Sequence, residues 1–182
     1  MKKHITLSNI LFIALICLIL YKPSRVWFIR QISFSPKVEK IEGSARIFDY
    51  NWKLTGLNTY NANFAEFKGK VVFLNFWATW CPPCIAELPY IQDFYNDYKG
   101  KVAFVFITSD DVRTLNEFFK KHGYEFPVYQ SNHDFPKELP PVTSIPRTFV
   151  IDTKGNIRVD KSGSANWNSK SFRSKKDELT IH

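Results

Sequence analysis

Two cysteines separated by two prolines, Cys81-Pro82-Pro83-Cys84, are the residues of this sequence best suited to chemistry. They lie between a nearly continuous apolar run, Lys70 to Phe76, and a segment with helical periodicity, Pro82 to Tyr98. The first sulfur is therefore expected at a helix N-terminus, where unpaired backbone N–H groups and the positive end of the dipole favour an anion. Such a place lowers a thiol pKa from about 8.5 toward neutrality and makes thiolate available for attack. Pro82 suits the first helical position, because its missing N–H would have had no partner there. Spacing of i and i+3 puts both sulfurs on one side of the first turn, close enough to bond.

Other uses of the pair are weaker. A structural disulfide across a two-residue gap restrains little chain. A zinc site needs further ligands, but the third cysteine, Cys17, lies in an apolar N-terminal run, and His4, His122, His133 and His182 are scattered. Redox chemistry is the favoured reading.

The elements that must hold this pair follow from periodicity. Lys70–Phe76 reads as a strand buried on both faces, and Val102–Thr108 as a second. Pro82–Tyr98 carries Ile85, Leu88, Ile91 and Tyr95 on one stripe, with Gly100 past its end. Asp111–His122 is a second helix, with Asp110 or Asp111 near its start and Gly123 after its last turn. Short strands are expected at Trp52–Leu54 and Ala62–Phe64 about a turn at Thr55-Gly56, then at Phe126–Tyr129 and Thr148–Asp152. A tight turn at Lys154-Gly155-Asn156 leads into Ile157–Val159, and residues 168–182 read as a weakly anchored terminal helix. Strands alternating with helices imply an α/β fold whose sheet is mainly parallel in the middle.

The 182 residues give room for one domain and a tail, and 45% hydrophobic composition is ample for a core. The net charge of +8 is unevenly spread. Residues 1–47 hold 8 basic and 2 acidic side chains, residues 161–182 hold 5 and 2, and the 12 and 13 between nearly cancel. A folded body without a basic excess argues against nucleic acid as a partner.

Ile5 to Tyr21 carries no charged side chain. Seventeen helical residues span roughly 25 Å, the short limit for crossing a bilayer core of about 30 Å. Tyr21 and Trp27 suit its interface. No small-x-small site follows Leu20, so an uncleaved anchor is expected. Lys2 and Lys3 on one side nearly balance Lys22, Arg25 and Arg30 on the other, but so short an N-terminal tail is expected to stay cytoplasmic and export the rest. The expected division is a tail and transmembrane anchor at 1–21, a basic linker at 22–47 and a folded domain at 48–182.

With these residues in place the chain resembles the thioredoxin superfamily, and more closely the membrane-anchored TlpA/ResA-like thiol:disulfide oxidoreductases. The likeness is carried by Phe67-Lys68-Gly69-Lys70 through Asn75-Phe76-Trp77-Ala78-Thr79-Trp80-Cys81-Pro82-Pro83-Cys84-Ile85-Ala86-Glu87-Leu88-Pro89, and by Ser144-Ile145-Pro146-Arg147-Thr148-Phe149-Val150-Ile151-Asp152 with Gly155 following. Gly163-Ser164-Ala165-Asn166-Trp167 extends it, so that it spans about residues 48–168. The resemblance implies a thioredoxin-like fold, a central mixed sheet flanked by helices, with a helix and strand inserted within residues 111–129. It matches Pro146 to the family's cis-proline, with Ile145 beside it on the substrate-facing surface. Glu87 is implied to assist proton transfer at the buried cysteine, and stands in for an aspartate that cytosolic thioredoxins bury where this chain has Asn75. Trp77 and Trp80 are read as packing and groove residues, with Pro82 and Pro83 beside the substrate.

The implied activity is protein-disulfide reduction with no cofactor beyond the cysteine pair. Cys81 attacks a substrate disulfide and Cys84 resolves the mixed disulfide, with Glu87 as its base. Implied partners are a disulfide-bearing exported protein, as in cytochrome c maturation, and a membrane thiol-disulfide electron donor. The implied location is a bacterial inner membrane, with the catalytic domain on the extracytoplasmic side. Two alternatives use the same fold. A thiol peroxidase would place Thr where Ala78 stands, and a copper-binding assembly factor would space its cysteines more widely and add a His, for which His133 is the candidate.

Overall fold

The computed structural model describes residues 7–20, 26–27, 29, 31, 45–131 and 135–174. Its first element, α1 (Leu7–Leu20), has 14 residues and extends about 21 Å at 1.5 Å per residue. Ile10, Leu11, Phe12 and Ile13 are exposed on it. Among the described residues no helix is long and apolar enough to cross a membrane. Ile5, Thr6 and Tyr21 of the expected anchor lie outside the described residues, as do most of 22–44, His133 and residues 175–182.

Among the described residues seven strands form one mixed sheet in the order β2-β1-β5-β4-β3-β6-β7. They are β1 (Lys53–Gly56), β2 (Ala62–Asn63), β3 (Val71–Phe76), β4 (Val102–Ile107), β5 (Val128–Ser131), β6 (Arg147–Ile151) and β7 (Ile157–Ser162). The centre, β5-β4-β3, is parallel. Its crossovers are α2 (Pro82–Tyr98) between β3 and β4, and α3 (Val112–His122) between β4 and β5. The edges are antiparallel: β1 joins β5 and β2 on one side, and β6 joins β3 and β7 on the other. This is the expected α/β architecture, and α3 with β5 supplies the helix and strand foreseen within residues 111–129.

All six residues of β3 are buried, because both faces of the central strand are covered. Val71 and Phe73 pack with Leu88, Ile91 and Phe94 of α2 and Leu115 and Phe119 of α3. Val72, Leu74 and Phe76 face the other way, toward Trp52, Phe64, Phe149 and Leu139. That second face is covered by the segment before β1, a 3-10 turn at Phe64–Phe67 and the stretch after β5 rather than by long helices.

Three local expectations are corrected. Thr55 and Gly56 are strand residues, not a turn, because they pair with Gln130 and Tyr129 of β5. Phe64 leaves β2 and opens the 3-10 turn, whose capping box joins Asn63 and Glu66. The described part of the C-terminal segment, residues 168–174, is firmly seated: Phe172, in a short helix at 170–174, is 1% exposed and meets Phe94 and Trp167 at ring distances of 5.4 and 5.2 Å. At the β6–β7 turn Gly155 has φ 89°, and a Cβ there would lie 2.6 Å from the Tyr50 hydroxyl. A left-handed backbone and a close neighbour both require glycine at that position.

Candidate functional site

The site is assembled where β3 hands the chain to α2. Trp77 leaves the sheet with its N–H on the Ile107 carbonyl, and its ring is buried against Phe119 and Phe126. Two residues on, the Thr79 N–H donates to Asp110 Oδ2 at 2.7 Å. Asp110 is itself fixed: its N–H donates to Thr108 Oγ1, and its carbonyl accepts from Gln130 Nε2. The loop ahead of Cys81 is thus tied to the ends of both β4 and β5. A buried carboxylate used this way could not be told in the sequence from its neighbour Asp111, which caps α3.

Cys81 is the N-cap of α2, with Pro82 at the first helical position as expected. Its Sγ accepts the Cys84 N–H at 3.3 Å and is disulfide-bonded to Cys84, with a Cα–Cα separation of 5.2 Å. Four residues of the site meet here. Sγ of Cys81 lies 3.8 Å from the Ile145 carbonyl oxygen, and the Ile145-Pro146 bond is cis. Pro146 is buried and held through its carbonyl by Gly163 N–H. Pro82, Pro83 and Ile145 are half-buried around the sulfur, and Trp80 beside it is exposed, as a groove residue requires. The first sulfur is less open than the sequence suggested: Cys81 is 3% exposed and Cys84 fully buried. The cap position turns the sulfur inward over the first helical turn, and the Ile145–Pro146 segment roofs it.

Glu87 sits one turn further along α2 and is fully buried. Its Oε1 accepts from Asn75 Nδ2 at 3.0 Å, and its Oε2 from Ala165 N–H at 3.1 Å and Trp167 Nε1 at 2.9 Å. Asn75 Nδ2 also donates to Thr148 Oγ1, directly across the β3–β6 pair. Burial pushes the Glu87 carboxyl up to about 7, and the donors from Trp167, Ala165 and Asn75, with the charge of Lys161, pull back against it. Such a group exchanges a proton near neutrality without leaving the interior.

The Redoxin family profile matches residues 44–176. The chain belongs to the Redoxin family. Thiol-disulfide oxidoreductase ResA of Bacillus thuringiensis is 31% identical over 159 residues, covering 86% of this chain and 87% of the relative. ResA of Bacillus cereus is 33% identical over 152 residues, covering 82% and 86%. With ResA of Oceanobacillus iheyensis the match is 32% over 123 residues, 66% of this chain and 64% of the relative's length. Among solved structures, a thiol:disulfide interchange protein of Chlorobium tepidum superposes with a TM-score of 0.61 at 26% identity, covering 75% of this chain and 96% of that one. StoA of Bacillus subtilis gives 0.52 at 25% identity, covering 62% and 87%. This Redoxin-family chain is therefore a thiol:disulfide oxidoreductase of the thioredoxin superfamily, ResA-like in sequence.

Three residues of this Redoxin-family site went without a role in the sequence: Thr148, Ala165 and Trp167. Burial of a tryptophan favours a partner for its N–H, which Trp167 finds in Glu87, but nothing local in the sequence named that partner. Among the described residues no group of three or more His, Cys, Asp or Glu side chains could hold a metal ion. Ala78, where a peroxidase would carry Thr, is fully buried.

Proposed function

We propose that the protein is a membrane-anchored reductase of disulfides in exported proteins. The observation that carries this reading is the Cys81–Cys84 pair at the first turn of α2, against the Ile145–Pro146 segment, with an isolated carboxyl buried one turn away. In the reduced enzyme the Cys81 sulfur lies at the free N–H groups of α2, where thiolate is favoured. It attacks one sulfur of the substrate disulfide, forms a mixed disulfide and releases the other substrate sulfur as thiolate. Glu87 takes the Cys84 proton, and the Cys84 thiolate attacks Cys81 Sγ, closing the internal disulfide and expelling the second substrate thiolate. Two electrons pass from the pair to the substrate. Ile145, Pro146, Trp80, Pro82 and Pro83 line the docking groove in this reading.

A reductase outside the cytoplasm needs electrons returned to it, and a membrane thiol-disulfide carrier is the donor that fits. The exposed apolar side chains around α1, Ile10 to Ile13 among them, support an anchor within residues 1–21, with 22–47 as linker and 48–182 as the catalytic domain on the extracytoplasmic side of a bacterial inner membrane. Maturation of c-type cytochromes, which needs reduced thiols in that compartment, is the proposed context.

The test is turnover of a disulfide-bonded reporter protein. Cys81→Ser is expected to lose activity, and Cys84→Ser to accumulate the mixed disulfide with substrate. Normal turnover by Cys81→Ser overturns the reading.

A further inference from the structure

Asn75 carries a buried side-chain oxygen, Oδ1, with no hydrogen-bond partner, directly beside a buried carboxyl group. Both N–H bonds of its amide are used, one on Glu87 Oε1 at 3.0 Å and one on Thr148 Oγ1 at 2.8 Å. An unsatisfied acceptor in a core is costly and calls for an account. A second state of the same cluster puts that oxygen to use, at the cost of leaving both N–H bonds of the amide unmade.

The arrangement fits Glu87 as a carboxylate, since every neighbour donates to it. Ala165 N–H and Trp167 Nε1–H are donors that cannot reverse, so Oε2 stays an acceptor in both protonation states. A proton arriving on Glu87 therefore goes to Oε1, where it faces the Asn75 N–H, donor against donor. Asn75 alone among these partners presents a donor at one end and an acceptor at the other. A half-turn about its χ2 brings Oδ1 to Oε1–H and to the Thr148 hydroxyl, both of which can donate to it.

We propose that Asn75 is a positioning residue that turns over with the protonation of Glu87, Nδ2 facing the carboxylate and Oδ1 facing the acid. The proposal deepens the reading of Glu87 as base for Cys84 and rests on it for its functional consequence. When the Cys84 proton moves to Oε1, the turned amide holds it there while the Cys84–Cys81 bond forms and substrate thiolate leaves. When the proton departs, the amide turns back. Burial that brings Glu87 to about 7 makes both states accessible near neutrality. The charge acting on Glu87 from other elements is that of Lys161 on β7, which favours the carboxylate. β3 and β6 contribute neutral Asn75 and Thr148, the segment after β7 contributes neutral Ala165 and Trp167, and Cys81 and Cys84 do not titrate while bonded.

The test is a titration of the oxidised, full-length protein with isotope-labelled asparagine, from about pH 5 to about pH 9, either side of the Glu87 value. Asn75 is assigned by the loss of its signals in Asn75→Ser. Above the Glu87 midpoint both amide protons are expected downfield, as bonded protons; below it both move upfield to the range of an unbonded amide. Glu87→Gln, whose Nε2 imitates Oε1–H, is expected to hold the upfield position at every pH. Bonded positions retained while the Glu87 carboxyl carbon titrates, or a titration that persists in Glu87→Gln, overturns the proposal. If Glu87→Gln does not fold, Thr148→Val replaces it: one amide proton should then be unbonded throughout and only the other move, and movement of both overturns the proposal. A rate profile of the reduced enzyme without a Glu87-dependent limb, but with the amide transition intact, removes the base role and leaves the Asn75 assignment standing.

Discussion

The helices α2 and α3 begin in the same way and serve different ends. Each is capped by a side chain that accepts the N–H three residues on: Cys81 from Cys84 at 3.3 Å, Asp111 from Thr114 at 2.8 Å. α3 is a conventional amphipathic helix, with a left-handed glycine at its end (Gly123, φ 71°) and Lys120 and Lys121 in its last turn to complement the dipole. α2 has no acid in its first turn, no base in its last, two prolines at its start, Pro82 and Pro83, and another, Pro89, inside. An interior proline removes a hydrogen bond and crowds the preceding turn. α2 therefore depends on burial, with Leu88, Ile91 and Phe94 in the core, where α3 depends more on its ends. The difference teaches that α2 is held by packing, which leaves its N-terminal amides available for a sulfur.

The largest expected effect breaks the comparison at its chemical end. Serine is a good N-cap, so Cys81→Ser keeps the capping geometry and removes the nucleophile. Helix content by circular dichroism should match that of the reduced wild-type protein, while disulfide reduction falls to background. A collapse of helix content would mean that the sulfur, not the cap position, holds α2.

Next in size is the pH response of α2's buried carboxyl. Glu87 titrates near 7 in the fold against 4.5 for a free side chain, so between these values the folded state holds a proton that the unfolded state has released. Stability must then fall as pH rises through that window and level off above about 7, by about 3 kcal/mol in all. Glu87→Gln should remove this slope from urea unfolding of the oxidised protein. An unchanged slope would place the titration elsewhere.

How far this was legible in the sequence depends on how far apart the partners lie. Cys81, Pro82 and the strand before them are contiguous, so cap, first turn and sheet position could be read together. Pro146 was legible as a cis-proline only through family likeness, although its bond is cis as expected. Of the Glu87 cluster, Glu87 and Asn75 were singled out through family likeness, but the roles of Ala165 and Trp167 were not legible, because they lie 78 and 80 residues away and meet Glu87 only after β6 and β7 are laid beside β3. Thr55-Gly56 misled for a related reason: glycine is a local turn signal, but the pairing with Tyr129 and Gln130 is long-range. At the C-terminus the scarcity of apolar residues understated the anchoring that one buried ring, Phe172, provides.

Trp167→Phe sharpens the comparison from within the α2 cluster. The ring stays to pack edge-on against Phe73 at 5.0 Å, but the Nε1 donor to Glu87 Oε2 is gone. Glu87 should titrate still higher, and the protein should lose roughly 1–2 kcal/mol above neutrality, where the carboxylate needs that donor, and less below pH 6 or thereabouts. Carboxyl carbon shifts read the titration and urea unfolding reads the stability. A loss equal at all pH values would reduce the tryptophan to packing.

The smallest effect is the control at α3. Asp111 carries two bonds to Thr114, from its backbone N–H at 2.8 Å and its hydroxyl at 2.9 Å, and these hold the Asp111 carboxyl below the usual carboxylate range. Asp111→Ala strips the cap from an exposed helix end and should lower the urea midpoint slightly near pH 7. Disulfide reduction should be unchanged, because the loop ahead of Cys81 is held by Asp110 rather than by its neighbour. If turnover falls together with stability, the two helix starts are mechanically coupled, and the division between a capped helix and a packed one fails.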